Sequence, residues 1–198
     1  MAQPVTQLGF TLFFRIRVWG AGHVAREGGV VLASNHASFL DPPAVGLGLP
    51  RPIWYMARAS LFRVPGFRQL IEALNALPIE RGGADRRAVR RAVELLRGGG
   101  ALLVFPEGTR SRDGRVGRFG AGFAMMAARA GVPVVPVALA GTFEAWPRHR
   151  ALPRAGRVAV AFGEPVGPPE GGREACRAAA AAVRRRVVAL HQELKGRE

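Results

Sequence analysis

Residues 30–43 read VVLASNHASFLDPP. The β-branched, apolar run 30–35 has the composition of a strand buried on both faces. It breaks into a short polar loop carrying His36. The following Asp-Pro pair is a helix-start signal, with Asp41 expected as N-cap and Pro42 at the first helical position. A strand running through a short loop into a helix is the repeating unit of an α/β sheet.

The same alternation extends in both directions. Short β-branched runs at 16–19, 53–57, 77–79, 101–105, 133–139 and 157–162 join 30–34 as expected strands. Helical spacing of apolar residues marks 4–14, 42–48, 66–74, 84–97, 120–130 and 173–195. In 84–97, Ala88, Val89, Ala92, Val93 and Leu96 form one stripe with arginines opposite. The expected fold is a single α/β domain. Its mixed, largely parallel sheet has about six or seven strands flanked by helices. At 198 residues the chain is long enough for one well-filled core. Residues 1–19 are set apart as an amphipathic helix and first strand with possible membrane contact, and 20–198 as the main domain.

Composition narrows the partners. The formal charge is +15, and Lys195 is the only lysine. Part of this arginine excess goes with a chain rich in Ala, Gly, Pro and Val, as a GC-rich genome produces. The field that remains favours anionic partners: nucleic acid, phospholipid, phosphorylated substrate or an acidic carrier protein. The single cysteine, Cys176, excludes a disulfide framework and a cysteine-based zinc site, and it fits a reducing compartment. No run approaches the roughly 20 apolar residues that span a bilayer. Arg15 and Arg17 follow the apolar N-terminal stretch, which is therefore a poor signal peptide; its helical spacing suits either a helix packed on the domain's own core or one lying in the headgroup region.

Several expected strands end in residues suited to chemistry. His36 follows the 30–34 strand at the end where open α/β sheets bind ligands. Asp41 is placed to accept the proton of one imidazole nitrogen, which leaves the other basic. FPEGTRS, residues 105–111, breaks the strand at 101–105 with Pro106. Gly108 lets the backbone turn, Thr109 and free amides suit an oxyanion, and Arg110 offers a planar fork for phosphate. Glu107 in such a turn suits a substrate hydroxyl or an arginine. Arg58 and Arg81 follow two further strands. A base with its orienting carboxylate, ringed by guanidinium groups, fits deprotonation of a hydroxyl on a phosphorylated small molecule.

The blocks NHASFLD, ALPIER, FPEGTRS and VPVVPVAL resemble, in order, the four motifs of the glycerolipid acyltransferases. Among these they are most similar to the bacterial 1-acyl-sn-glycerol-3-phosphate (lysophosphatidic acid) acyltransferases. The resemblance covers residues 15 to about 165. The His-x-x-x-x-Asp pattern is weak alone and specific when FPEGTRS follows it downstream.

The resemblance implies His36 as general base and Asp41 as its partner. It implies Arg58, Arg81, Glu107, Gly108, Thr109, Arg110 and Ser111 as the substrate-binding set. Arg58 stands where many members have lysine, and Gly120 lies in a segment where members often carry one. The implied reaction moves a fatty acyl group from acyl-CoA or acyl carrier protein to 1-acyl-sn-glycerol-3-phosphate, giving phosphatidic acid. Neither metal nor cofactor is implied. The expected location is peripheral, on an anionic membrane surface at the cytoplasmic face. Related acceptors are a lyso-ornithine lipid, another lysophospholipid or glycerol 3-phosphate.

Two other readings are weaker. A Ser38–His36–Asp41 triad crowds its members into six residues and lacks a nucleophile elbow. A nucleic-acid module is disfavoured by dispersed arginines, a single tyrosine and no recognition motif.

Overall fold

A computed structural model of the chain describes residues 13–63, 66–73, 75–79 and 85–197. The expected helix at 4–14 lies almost wholly outside these residues, and so does Arg81. Seven strands form one sheet: β1 (Arg17–Trp19), β2 (Val30–Ser34), β3 (Ile53–Arg58), β4 (Ala76–Ile79), β5 (Ala101–Val104), β6 (Val134–Ala140) and β7 (Ala159–Phe162). Their order across the sheet is β1-β7-β6-β2-β5-β3-β4. Strands β6, β2, β5, β3 and β4 run parallel, β7 is antiparallel to β6, and β1 is parallel to β7.

The helices are α1 (Asp41–Leu47), α2 (Phe67–Ala73), α3 (Arg86–Arg97), α4 (Gly122–Ala130), α5 (Thr142–Ala145) and α6 (Arg173–Lys195). Alternation along the strands divides the core between the two faces of the sheet. Val31, Ala33, Leu102 and Ala138 point to the face covered by α3, α4 and α6. Leu32, Leu103, Val135 and Val137 point to the other, which is covered by α1, Phe14 and Val24. Leu32 and Leu103 are completely buried, each worth about 1.5–3 kcal/mol of transfer free energy. The stripe expected on 84–97 is observed, and Asp85 caps α3 by accepting the Ala88 N–H at 3.0 Å.

A proline in the middle of β6 needs explanation, because Pro136 cannot donate to a ladder. Val134 faces Val166 and Val137 faces Phe162, so residues 163–165 lie opposite only 135–136. This one-residue bulge spares the missing N–H, and the Pro136 carbonyl still accepts from the Gly163 N–H at 2.8 Å.

The expectation for Asp41 needs correction. Leu40 occupies the N-cap, Asp41 is the first helical residue, and the Asp41 side chain caps no helix amide. Its carboxylate instead turns back to the preceding loop, where stronger partners wait. Because β2, β5, β3 and β6 run in one direction, the loops after them share one edge of the sheet.

Candidate active site

The loop after β2 begins at Asn35, buried against β6. The Asn35 amide donates to the Leu139 carbonyl at 2.9 Å and accepts the Leu139 N–H at 2.8 Å. This side chain adds one rung to the β2–β6 pairing after the backbone has turned away. The position of His36 is thereby tied to the sheet.

Three N–H groups converge on one oxygen of the fully buried Asp41. Asp41 Oδ2 accepts from Ala37 N–H at 2.6 Å and Ser38 N–H at 2.8 Å, and it lies 2.7 Å from His36 Nδ1. An oxygen already accepting two amides can only accept from the ring, so Nδ1 carries the hydrogen and Nε2 presents a lone pair. Phe105 stacks on the imidazole with ring centres 4.0 Å apart and fixes its plane. The His36 side chain keeps 19% of its surface exposed while Asp41 keeps none. The base can therefore meet a ligand that its carboxylate cannot.

Ser38 is occupied elsewhere. Its hydroxyl donates to the Trp146 carbonyl at 2.8 Å and accepts the Leu40 N–H at 3.1 Å. It braces the loop and is not paired with the imidazole.

The loop after β5 closes over the same site. Ser111 N–H donates to the His36 carbonyl at 2.7 Å, and Glu107 Oε1 accepts the His36 N–H at 3.1 Å. The two motif loops thus clamp His36 through its own backbone. Gly108 turns this loop at φ +68°, where a side chain would be strained. Burial pushes the Glu107 carboxyl up to about 7, against the lowering effect of the His36 and Gly117 amides and Arg184. Arg184 holds the segment behind it, donating to the Gly117 carbonyl at 2.6 Å.

Arg110 lies over the Phe39 ring, 3.6 Å from its centre. One of its terminal nitrogens, Nη1, is buried without a hydrogen-bond acceptor. Burial lowers the Arg110 pKa, and the nearby charges of Arg148 and Arg58 lower it further. Beside it opens a cavity of about 560 Å³, lined in part by Glu107, Thr109, Arg110, Ser111 and Arg148. A guanidinium cluster around a donor without an acceptor has the chemistry to bind an anion.

Comparison with known proteins gives this geometry its family. The acyltransferase family model matches residues 15–140. The chain belongs to the acyltransferase family. In the solved structures, the 1-acyl-sn-glycerophosphate acyltransferase PlsC from Thermotoga maritima superimposes with a TM-score of 0.76 at 30% sequence identity, over 98% of this chain and 81% of that one. A chloroplastic 1-acyl-sn-glycerol-3-phosphate acyltransferase of Arabidopsis thaliana is 32% identical across 78% of this chain and 44% of its own length. The 1-acyl-sn-glycerol-3-phosphate acyltransferase of Bacillus subtilis is 26% identical, across 76% of this chain and 73% of its own length. The acyltransferase described here thus spans less than half the length of the plant relative.

Of the residues expected from the sequence, the acyltransferase brings His36, Asp41, Glu107, Gly108, Thr109, Arg110 and Ser111 together, with Arg58 close enough to act on Arg110. Sequence reasoning missed Phe39, Trp146 and Arg148. The signal for Arg148 was present: WPRHR lies in the connection after β6, on the edge where Arg58 ends β3 and FPEGTRS follows β5.

Proposed function

We propose that this acyltransferase moves a fatty acyl group from acyl-CoA or acyl carrier protein to the free hydroxyl of 1-acyl-sn-glycerol-3-phosphate, giving phosphatidic acid. The observation that carries this reading is an oriented His36–Asp41 pair on the same sheet edge as Arg110, whose Nη1 has no acceptor. The names and sequence similarity of the relatives support the same substrate class.

His36 Nε2 takes the hydroxyl proton as the acceptor oxygen attacks the thioester carbonyl carbon. The imidazolium so formed lies against the Asp41 carboxylate, which stabilises it. Collapse of the tetrahedral intermediate breaks the C–S bond, and His36 returns the proton to the departing thiolate. No acyl-enzyme is needed, because Ser38 is engaged with Trp146 and Leu40.

Arg110, Arg58 and Arg81 hold the acceptor phosphate, with Gly108, Thr109 and Ser111 completing the loop around it. Binding a phosphate relieves the repulsion among the guanidinium groups, so the pocket prefers a dianionic headgroup to a neutral one. Glu107 serves first as the clamp on the His36 amide. A lipid acceptor places the reaction at a membrane surface, with residues 1–19 as one contact at the cytoplasmic face. No helix among the described residues is long and apolar enough to cross a bilayer.

The test is a panel assay with labelled acyl thioester and purified protein. Lysophosphatidic acid should be the preferred acceptor over glycerol 3-phosphate, lyso-ornithine lipid and lysophosphatidylcholine. Preference for an acceptor without phosphate would remove the assigned role of the arginines.

A further inference from the structure

The loop between β6 and β7 carries residues that the proposed chemistry does not use. Residues 146–157 read WPRHRALPRAGR, with four arginines and no acidic residue. The segment is ordered from its base. Trp146 Nε1 donates to the Arg150 carbonyl at 3.0 Å, Arg150 N–H to the Pro147 carbonyl at 3.1 Å, and Arg154 N–H to the Ala145 carbonyl at 2.8 Å. Gly141, at φ +78°, starts the excursion where an added Cβ would collide with the Arg157 carbonyl. Held this way, the loop pushes Leu152 into solvent with 74% of its surface exposed.

Topology places this tip on the active-site edge. The loop leaves the end of β6 that lies beside His36, and Ser38 Oγ bonds to its Trp146 carbonyl. Phe39, 41% exposed, packs beside Trp146 with ring centres 5.6 Å apart. On the far side, Val158 N–H donates to the Phe14 carbonyl at 3.0 Å, which brings Phe13, 49% exposed, to the same edge. Three of the four large hydrophobic side chains that stand exposed among the described residues therefore gather here. Arg15, Arg17 and Arg154 are exposed around them.

We propose that loop 146–157, with Leu152 at its tip and Phe13 and Phe39 on either side, docks the active-site edge onto an anionic lipid bilayer. The proposal rests on the reading of the site as one for a lipid acceptor. Apolar tips reach the acyl boundary while guanidinium groups stay at the phosphates, the division of labour of interfacial segments. An acidic carrier protein matches the arginines but gives no reason for so exposed a leucine. With the edge seated on the bilayer, a lysophospholipid can present its headgroup to Arg110 while its chain remains in the membrane.

The test uses the full chain and a Leu152→Ser/Arg154→Gln double variant, neither residue belonging to the catalytic pair or the phosphate pocket. Both side chains are exposed, and an unchanged thermal midpoint verifies the fold. Co-sedimentation is measured with phosphatidylcholine vesicles containing phosphatidylglycerol and with phosphatidylcholine alone. The native chain should prefer the anionic vesicles. The variant should bind them about tenfold more weakly or worse, since one arginine near such a surface is worth about fivefold and the leucine adds to it. Turnover of vesicle-embedded lysophosphatidic acid should fall in step, and turnover of a short-chain, monomeric lysophosphatidate should not.

Native-like sedimentation of the variant would overturn the proposal, and so would equal binding of the native chain to neutral vesicles. Loss of binding to an acidic acyl carrier protein with vesicle binding intact would also overturn it and assign the loop to the donor. Vesicle binding requires no turnover, so a chain that binds anionic vesicles but acylates nothing would sink the functional reading alone.

Discussion

Replacing Asp41 by asparagine separates two roles that a carboxylate beside a histidine can play. In the native loop, Oδ2 accepts three N–H groups, from Ala37, Ser38 and the His36 ring. Oδ1 is buried with no partner. An asparagine can place its oxygen or its NH₂ at the crowded position. Placing NH₂ there would face two backbone N–H groups, so the oxygen wins and the NH₂ takes the empty side. The ring tautomer is then preserved, and what disappears is the negative charge opposite the imidazolium. A unit charge pair about 4 Å apart is worth about 4 kcal/mol at an effective dielectric near 20. That corresponds to a fall in kcat of about 10³-fold, less than the roughly 10⁴-fold recorded where the tautomer is lost as well.

The buried NH₂ without an acceptor should also cost about 1–3 kcal/mol of stability. The assay is steady-state turnover of labelled acyl thioester at saturating lysophosphatidic acid, with the acceptor KM followed in parallel. The KM should change by less than about threefold, because Asp41 is fully buried and touches no substrate. A kcat within a few-fold of native would reduce Asp41 to a loop brace. A variant as inactive as His36→Ala would show that the tautomer had flipped despite the two amides.

Other expectations follow from the neighbouring contacts. Ser38→Ala should retain kcat within about tenfold yet lose about 1–3 kcal/mol of stability, because the Trp146 carbonyl and Leu40 N–H lose their partner; a trapped acyl-serine would contradict this. Glu107, with its carboxyl raised to about 7 by burial, holds its proton in the folded chain where the unfolded chain, near 4.5, has released it. Its contribution to stability is present below about 4.5 and is lost as pH rises through about 7. Glu107→Gln should therefore flatten the decline in thermal midpoint across that window relative to the native chain, and an unchanged slope would refute the assignment. Arg110→Ala should raise the KM for lysophosphatidic acid at least tenfold, with a smaller loss for an acceptor lacking phosphate. Phe39→Leu, which removes the surface under the Arg110 guanidinium, should weaken acceptor binding in the same direction by roughly two- to fivefold. Native acceptor binding in both variants would place the phosphate elsewhere.

Strands β2, β6 and β7 were legible because each is a short apolar run buried along its whole length, and the six-residue His36–Asp41 span is local in the chain. Contacts that depend on distant partners were not. Asp41 carries the composition of an N-cap, yet the Ala37 and Ser38 amides capture its carboxylate, a choice set by how the loop closes. The bond from the His36 N–H to Glu107 was not legible, because nothing in FPEGTRS announces a contact with a residue 71 positions earlier. The short helix α5 was missed because four residues carry too little periodicity to register. Phe39 and Trp146 read as ordinary apolar residues until the fold set one under Arg110 and the other beside it.

The central claim is that a carboxylate-oriented imidazole transfers the acyl group directly from thioester to the hydroxyl of a phosphorylated lysolipid. Its most direct measurement is a parallel count of thiol released and phosphatidic acid formed by the purified native chain and by His36→Ala. Equal amounts of both products from the native chain, and neither above background from the variant, are expected. Thiol release without phosphatidic acid, or undiminished product from His36→Ala, would contradict it.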